Sequence, residues 1–378
     1  MKFHLAVRVD VEVMSHPARG GWIEKDRLMA DKVPLEVRMG GTCKALHKLV
    51  SYCRSNVIDE SPIHQWLRGP LFFLCMDVNN MEKAHYHLPG LFEFYELYRR
   101  FLPLFRAHRE YFYDWCDIGS IYGAPSDCIW GGGRVENGKA DPRAVMALLR
   151  EYGISARLTF SNSLLQEEHL SDRKCNALCK LFAESGVPQN GVIVHSALLF
   201  DALRVRYPQL YFVSSTTKVL TEFQQLKREL EREEFTYVVP DFRLNWALEQ
   251  LDSMPQGLKD KVEFLCNECC WYGCTDRKQC YEAVSRKNLG EDGPEHHCIV
   301  PDAADGYRFS KAMTNPGFIG IQDIQNTYLP IGFSNFKIEG RGLGSALVLE
   351  FLLYYMTKPE YQLRVREAIY LDNMLDLF

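Results

Sequence analysis

The chain has 378 residues, of which 47% are hydrophobic and 25% are charged, and its formal net charge is −5. This composition is typical of a globular protein, and the length suits one large barrel with an extra piece or two ordinary domains. A mildly acidic chain lacks the overall basic character of proteins that bind nucleic acid non-specifically.

The first 68 residues predict a small unit of their own. In FHLAVRVDVEV an apolar residue recurs at every second position from Phe3 to Val13, which predicts a strand. PLEVRMG repeats this alternation, and KALHKLVSYCR then predicts a helix. We therefore expect a β-hairpin with one helix over residues 1–68, which could bind a protein partner, and a second domain over residues 69–378.

Nothing in the sequence predicts contact with a membrane. The N-terminal stretch has no continuous apolar core, so we do not expect a secretory signal. The most apolar segment, SALVLEFLLYYM, is shorter than the roughly 18 residues of a membrane helix and contains Glu350. We expect this segment to be a buried helix and the compartment to be the cytoplasm.

From about residue 70 onward, short apolar runs alternate with segments of helical periodicity. The predicted strands cover residues 71–78, 117–123, 155–162, 191–197, 210–217, 235–242, 262–267 and 333–341. Each of them except the seventh is followed by a predicted helix, which implies a parallel sheet closed into a (β/α)8 TIM-like barrel. An open doubly wound sheet is the alternative, although no G-x-G-x-x-G or Walker A motif supports it.

Active sites of such barrels lie at the C-terminal ends of the strands. Polar residues end the predicted strands, and those that we expect to bind substrate are Asp77, Asn162, His195, Ser215 and Asn267. Asp241, at the end of the sixth strand, is a candidate catalytic residue.

The last predicted strand, FSNFKIEGR, carries three charges on one face. Alternation places Lys337, Glu339 and Arg341 together, opposite Phe336 and Ile338. Three charges cannot face the helix layer without partners, because burying an uncompensated charge is too unfavourable. We therefore expect them to form a network inside the barrel, to join Asp241 as catalytic residues and to orient an anionic group.

Six of the thirteen cysteines lie within residues 266–298. A reducing cytosol argues against disulfides. The spacing from Cys270 through Cys274, Cys280 and Cys298 is C-x3-C-x5-C-x17-C. Zinc sites usually show two tight cysteine pairs, whereas thiolates from one loop and its return path suit a [4Fe–4S] cluster. Zinc and purely structural thiols stay open as alternatives.

Two segments, VEFLCNECCWYGCTDRKQCY and FKIEGR, resemble peptidase family U32, the collagenase-like proteins. In that family an Asn-x-x-Cys-x-x-x-Cys-x-x-Arg segment follows a barrel strand, and the final strand ends in Lys-x-x-Gly-Arg. The matching residues are Asn267, Cys270, Cys274 and Arg277 in the first segment and Lys337, Gly340 and Arg341 in the second. The resemblance covers the layout of roughly residues 70–355.

This resemblance implies a barrel that binds a [4Fe–4S] cluster through Cys270, Cys274, Cys280 and Cys298. It further implies an iron–sulfur oxidoreductase that carries out oxygen-independent hydroxylation, or a related modification, of a small molecule or an RNA base. The doublet Cys269–Cys270 leaves the identity of the first ligand open.

Two other functions remain open from the sequence. The chain could be a metal-dependent or cysteine hydrolase, a collagenase-like peptidase, although H-E-x-x-H is absent and His296–His297 beside Cys298 is the one tight histidine pair. It could also be a non-catalytic protein in which a cluster or zinc holds a loop and the first 68 residues bind a partner.

Overall fold

The computed structural model describes residues 83–133, 138–293, 296–300 and 307–370, together with the backbone of three short strands before them. The chain divides into two compact units, Met1–Met81 and Glu82–Phe378. In the first unit, an antiparallel sheet is formed by β1 (Lys2–His4), β2 (Val11–Ser15) and β3 (Leu35–Met39), with β2 in the middle. The helix predicted for this unit lies outside the described residues.

The second unit contains eight parallel strands. They are β4 (Ala84–Pro89), β5 (Cys116–Gly123), β6 (Ser155–Phe160), β7 (Gly191–Val194), β8 (Tyr211–Ser214), β9 (Phe235–Val238), β10 (Glu263–Leu265) and β11 (Asn335–Lys337). Hydrogen bonding runs in the order β10–β11–β4–β5–β6–β7–β8–β9. A parallel bridge between Val238 and Val262, which precedes β10, joins the two outer strands. The sheet is thus a nearly closed barrel, and the predicted TIM-like fold is confirmed.

Helices alternate with these strands. They are α1 (Tyr95–Ala107), α2 (Pro142–Tyr152), α3 (Arg173–Ala183), α4 (Ala197–Arg206), α5 (Phe223–Leu230), α6 (Leu248–Asp252), α7 (Gln256–Lys259), α8 (Arg277–Leu289), α9 (Phe309–Met313), α10 (Ile321–Asp323), α11 (Ser345–Met356) and α12 (Gln362–Tyr370). The cysteine-rich segment 266–298 contains α8 and lies between the seventh and eighth barrel strands, as predicted. Helix α8 lines the C-terminal end of the barrel.

The first barrel strand differs from the predicted one. The predicted strand at 71–78 lies outside the described residues, and the barrel begins at β4, whose sequence is AHYHLP. In β4 the apolar side chains of Ala84, Tyr86 and Leu88 belong to the main core, whereas His87 faces the inside of the barrel. A search for continuous apolar runs misses such a strand, because every second residue of it is polar.

Helix α11 is the buried helix that SALVLEFLLYYM predicts. Its residues Leu349, Phe351 and Leu352 are at most 1% exposed, and Glu350 forms two hydrogen bonds with Arg366 of α12, at 2.9 and 2.8 Å. Of the helices that the structure describes, none combines the length and the apolar character needed to cross a membrane.

A small apolar cluster fills the barrel interior. It consists of Tyr122, Ile193, Val213, Val239 and Leu265, which come from five different strands or their ends and are separate from the main core. These side chains pack part of the barrel interior, as is typical of this architecture.

Candidate functional site

Strand β10 places Glu263 in the barrel interior, where it contacts side chains from three other strands. Lys337 Nζ of β11 donates a hydrogen bond of 2.8 Å to Glu263 Oε1, and the guanidinium of Arg157 from β6 binds Oε2. His87 Nε2 of β4 lies 3.7 Å from the same oxygen. The four side chains are at most 6% exposed. Alternation along each strand delivers these charges to one place, where they compensate each other.

Burial affects the pKa of each group in this network differently. It would raise the pKa of Glu263, but Arg157, His87 and Lys337 outweigh it and lower that pKa strongly. Burial lowers the pKa of Lys337 to about 8, with Glu263 opposing and Arg157 adding to the effect. Burial also lowers the pKa of His87 well below its usual value. One carboxylate therefore balances two cations, and Lys337 is the cation that loses its proton more readily.

A cavity of about 1000 Å³ lies at the C-terminal ends of the barrel strands. Its wall combines residues from β6, β11 and the segments that follow β8 and β10, among them Thr159, Ser215, Cys270, Lys337 and Arg341. Lys337 Nζ lies 3.6 Å from the centre of the Tyr122 ring, which forms part of the same wall. The buried network therefore reaches the cavity through Lys337.

The insert after β10 brings most of its cysteines to this cavity. Those that line it are Cys269, Cys270, Cys280 and Cys298. Cys274 is buried and close enough to Cys270 to raise its pKa. Cys280 Sγ lies 2.7 Å from His296 Nε2. Three of the four predicted cluster ligands, Cys270, Cys280 and Cys298, thus line the cavity, and Cys274 is buried near Cys270.

Two arginines, Arg277 and Arg243, lie close to Cys270. Burial raises the pKa of the Cys270 thiol to about 12, although Arg277 acts to lower it. Arg277 is 1% exposed and forms ion pairs with Glu268 at 2.5 Å and Asp241 at 3.4 Å. Arg243 binds the Asp241 carboxylate at 2.6 Å and donates to the Cys274 carbonyl at 2.9 Å. Asp241, predicted to be catalytic, is buried here as the shared partner of both arginines.

The chemistry of this wall fits a metal or an iron–sulfur cluster. Cys270 would hold such a group as a thiolate although burial favours its thiol form, and Arg277 and Arg243 would offset the negative charge of that thiolate. Within the described residues, the side chains of Glu268, Cys269 and Glu339 also bring three potential ligand atoms within 4.8 Å of one another. This tighter group suits one ion, whereas the thiolates of a cubane bind separate iron atoms and stand further apart.

Lys337, Glu339 and Arg341, the charged residues predicted from the last strand, all line the cavity. The three side chains lie close to different charged groups. Lys337 pairs with Glu263, Glu339 belongs to the tight group with Glu268 and Cys269, and Arg341 Nη1 lies 3.8 Å from Glu93 Oε1.

The predicted substrate ligands are distributed between the cavity and the protein interior. Ser215 lines the cavity, and its Oγ accepts hydrogen bonds from Thr217 N at 3.2 Å and Thr217 Oγ1 at 2.9 Å. His195 shares a 2.8 Å hydrogen bond with Thr217 Oγ1, and burial lowers its pKa to about 4. Asp77 lies outside the described residues.

The two predicted asparagines are fully buried and hydrogen-bonded to backbone. Asn162 Nδ2 donates to the carbonyls of Ile129 at 2.8 Å and Ser285 at 3.1 Å. Asn267 Oδ1 accepts from Glu339 N at 2.7 Å, and its Nδ2 donates to Glu339 O at 3.1 Å. Asn267 thereby ties the loop after β10 to the loop after β11.

Sequence reasoning did not single out Arg157, Glu263 or Glu268. A signal for Arg157 exists in SARLTF, where Arg157 and Thr159 alternate with Ala156 and Leu158. The three-residue strand EFL is too short to show an alternation for Glu263.

Comparison with protein-family models gave no match, and comparison with curated proteins gave none either. A solved structure entitled "The Structure of the U32 Peptidase Mk0906" is similar to 70% of this chain and 95% of its own, with a TM-score of 0.42 and 14% sequence identity. It bears the name of the family that the two sequence segments resemble.

Proposed function

We propose that this protein binds a [4Fe–4S] cluster at the mouth of its barrel and is a redox enzyme. The reaction that we propose is oxygen-independent hydroxylation, or a related modification, of a small molecule or an RNA base. One observation carries this proposal: the thiols of the insert and the charged end of β11 line the same cavity. A redox group held there would lie beside whatever substrate the cavity binds.

Cys270, Cys274, Cys280 and Cys298 would hold the cluster, with Cys269 as the alternative to Cys270. When bound, the cluster would supply electron transfer. Arg277 and Arg243 would balance the charge of the thiolates, because both lie close to Cys270. Lys337 would present a cation to the substrate from the wall of the cavity, fixed by its bond to Glu263.

A zinc-dependent or cysteine hydrolase is the second candidate, and two groups of neighbouring side chains favour it. The group of Glu268, Cys269 and Glu339 offers three protein ligands, the number found in catalytic zinc sites. Cys280 and His296 stand at 2.7 Å, within reach for an imidazole to activate a thiol.

Anaerobic purification followed by absorbance spectroscopy and metal analysis tests the first proposal. We expect broad visible absorbance and about four iron and four sulfide per chain. Cys274→Ala should remove both, because it deletes a proposed ligand. Cys179→Ala is the matched control, since Cys179 is equally buried but lies in α3 within the apolar core.

A colourless protein without iron would refute the cluster. Stoichiometric zinc in that colourless protein, lost in Cys269→Ala, would instead favour the hydrolase.

A further inference from the structure

Two hydroxyl groups on the cavity wall have no hydrogen-bond partner among the described residues, namely Thr159 Oγ1 and Ser161 Oγ. Thr159 is 6% exposed and Ser161 is 1% exposed. They are two residues apart at the end of β6, so they share a face, and both line the cavity. Because buried hydroxyls are nearly always hydrogen-bonded, these two are placed to bind a ligand.

Arg341 also has unused hydrogen-bonding capacity at the cavity. It is 7% exposed, and its Nη1 makes no hydrogen bond to any residue that the structure describes. The Glu93 carboxylate lies 3.8 Å away, which is too far for a hydrogen bond. Burial raises the pKa of Glu93 even with Arg341 beside it. Glu93 therefore compensates the arginine only in part.

The glycine loop 131–133 brings Arg341 and Ser161 to the same side of the cavity. A Cβ on Gly133 would lie 2.0 Å from Arg341 Nη2, and a Cβ on Gly132 would lie 2.2 Å from the Ser161 carbonyl oxygen. Consecutive Cα atoms are only about 3.8 Å apart. The guanidinium and the end of β6 therefore pack against neighbouring points of one segment, and at Gly132 a side chain would clash with the backbone of Ser161.

We propose that Arg341, Ser161 and Thr159 form a subsite that binds an oxyanion of the substrate, a carboxylate or a phosphate group. A guanidinium matches both groups with two parallel hydrogen bonds, and the hydroxyls donate to the remaining oxygens. This inference rests on the proposed function in taking the same cavity as the substrate site.

Of the two cations that β11 and the residues after it bring to the wall, Lys337 and Arg341, Arg341 is the one placed for this role, whereas Arg286, Lys287 and Lys311 line the cavity from the segment between β10 and β11. Lys337 is bound to Glu263, and the acidic pair Glu268 and Glu339 is gathered around Cys269. An anion at Arg341 would occupy the side of the cavity formed by β6 and the glycine loop.

Isothermal titration calorimetry of the full chain with inorganic phosphate and with malonate tests the subsite. We expect the wild type to bind at least one of them, and the preferred probe distinguishes a phosphate from a carboxylate substrate. Arg341→Lys loses the paired hydrogen bonds and should weaken binding by about ten- to a hundredfold. Ser161→Ala should weaken it by about two- to tenfold.

Arg286→Lys is the matched control, because Arg286 lines the cavity but lies outside the proposed subsite. Its affinity should stay within about twofold of the wild type. Gly133→Ala should weaken binding without removing any charge, since its methyl group would displace the guanidinium. Circular dichroism confirms that each variant is folded.

No binding of either anion by the wild type, or equal weakening by Arg341→Lys and Arg286→Lys, would overturn the subsite. Iron analysis of the same samples separates the two proposals. Protein that binds the anion through Arg341 but never contains iron retains the subsite and rejects the cluster. Iron-loaded protein that binds neither anion retains the cluster and rejects the subsite.

Discussion

Glu263 is the buried carboxylate that Arg157 and Lys337 share inside the barrel. Removing one partner from a buried ion network leaves the others uncompensated, which destabilises far more than the loss of an exposed pair. The network also fixes the Lys337 amine at the cavity wall. Its geometry therefore connects the stability of the barrel with the electrostatics of the site.

We predict that Glu263→Gln lowers the free energy of unfolding by about 3–5 kcal/mol, because Arg157 and Lys337 would keep their charges without the carboxylate. Urea denaturation followed by circular dichroism measures this change. Glu96→Gln is the control, since Glu96 pairs with Arg99 on the exposed face of α1. It should change stability by less than about 1 kcal/mol. Equal effects of the two substitutions would contradict the prediction.

At the scale of elements, the loop after β10 and the loop after β11 depend on each other. Asn267 holds both backbone groups of Glu339, while the segment between them carries the cysteines. The position of Glu339 relative to Glu268 and Cys269 therefore depends on one buried amide. A role for Asn267 in holding this geometry follows directly from its contacts.

We predict that Asn267→Ala lowers the free energy of unfolding by about 1–3 kcal/mol, because it removes the two hydrogen bonds that the buried Asn267 amide makes to the Glu339 backbone. Thermal and urea denaturation measure the loss. Asn326→Ala, at an exposed helical position where the side chain bonds only Gln322, should be near neutral. An Asn267→Ala protein as stable as this control would show that the two loops are held by other contacts.

The spacing of apolar residues predicted most of the barrel strands and helices, because the pattern typical of each is visible within a few consecutive residues. The seven later strands overlap the predicted ranges. The first strand was missed because β4 is polar on its inner face, where His87 meets Ser120 and Asn335. Those partners are 33 and 248 residues away in the sequence. A local sequence pattern therefore cannot show that the buried His87 side chain has hydrogen-bond partners.

At the scale of the whole molecule, the chain divides into two compact units, with the boundary between Met81 and Glu82. The second unit holds the eight-stranded sheet and all the cavity residues that the structure describes. This leaves a partner-binding role for the first unit as a proposal that can be tested separately.

We predict that a chain beginning at Glu82 folds by itself, with a melting temperature within about 3 °C of the full chain, because its core lies inside this unit. Differential scanning calorimetry of both chains, with iron analysis of each, makes the comparison. Iron binding retained by the shorter chain would show that residues 1–81 serve another purpose, such as partner binding. Aggregation or loss of cooperative unfolding would show that the barrel requires the first unit.

The sequence alone determined the order of strands and helices, the barrel they form and the segment where the thiols concentrate. The periodicity of apolar residues and the spacing of cysteines are local features of the sequence, so they can be read without the tertiary structure. The tertiary structure decided which charges pair, as with Arg157 and Glu263, 106 residues apart, and which groups of the cavity-lining residues, such as Ser161 Oγ and Arg341 Nη1, lack a hydrogen-bond partner among the described residues. Those facts depend on how the barrel closes, because closure alone brings distant strand ends to one mouth.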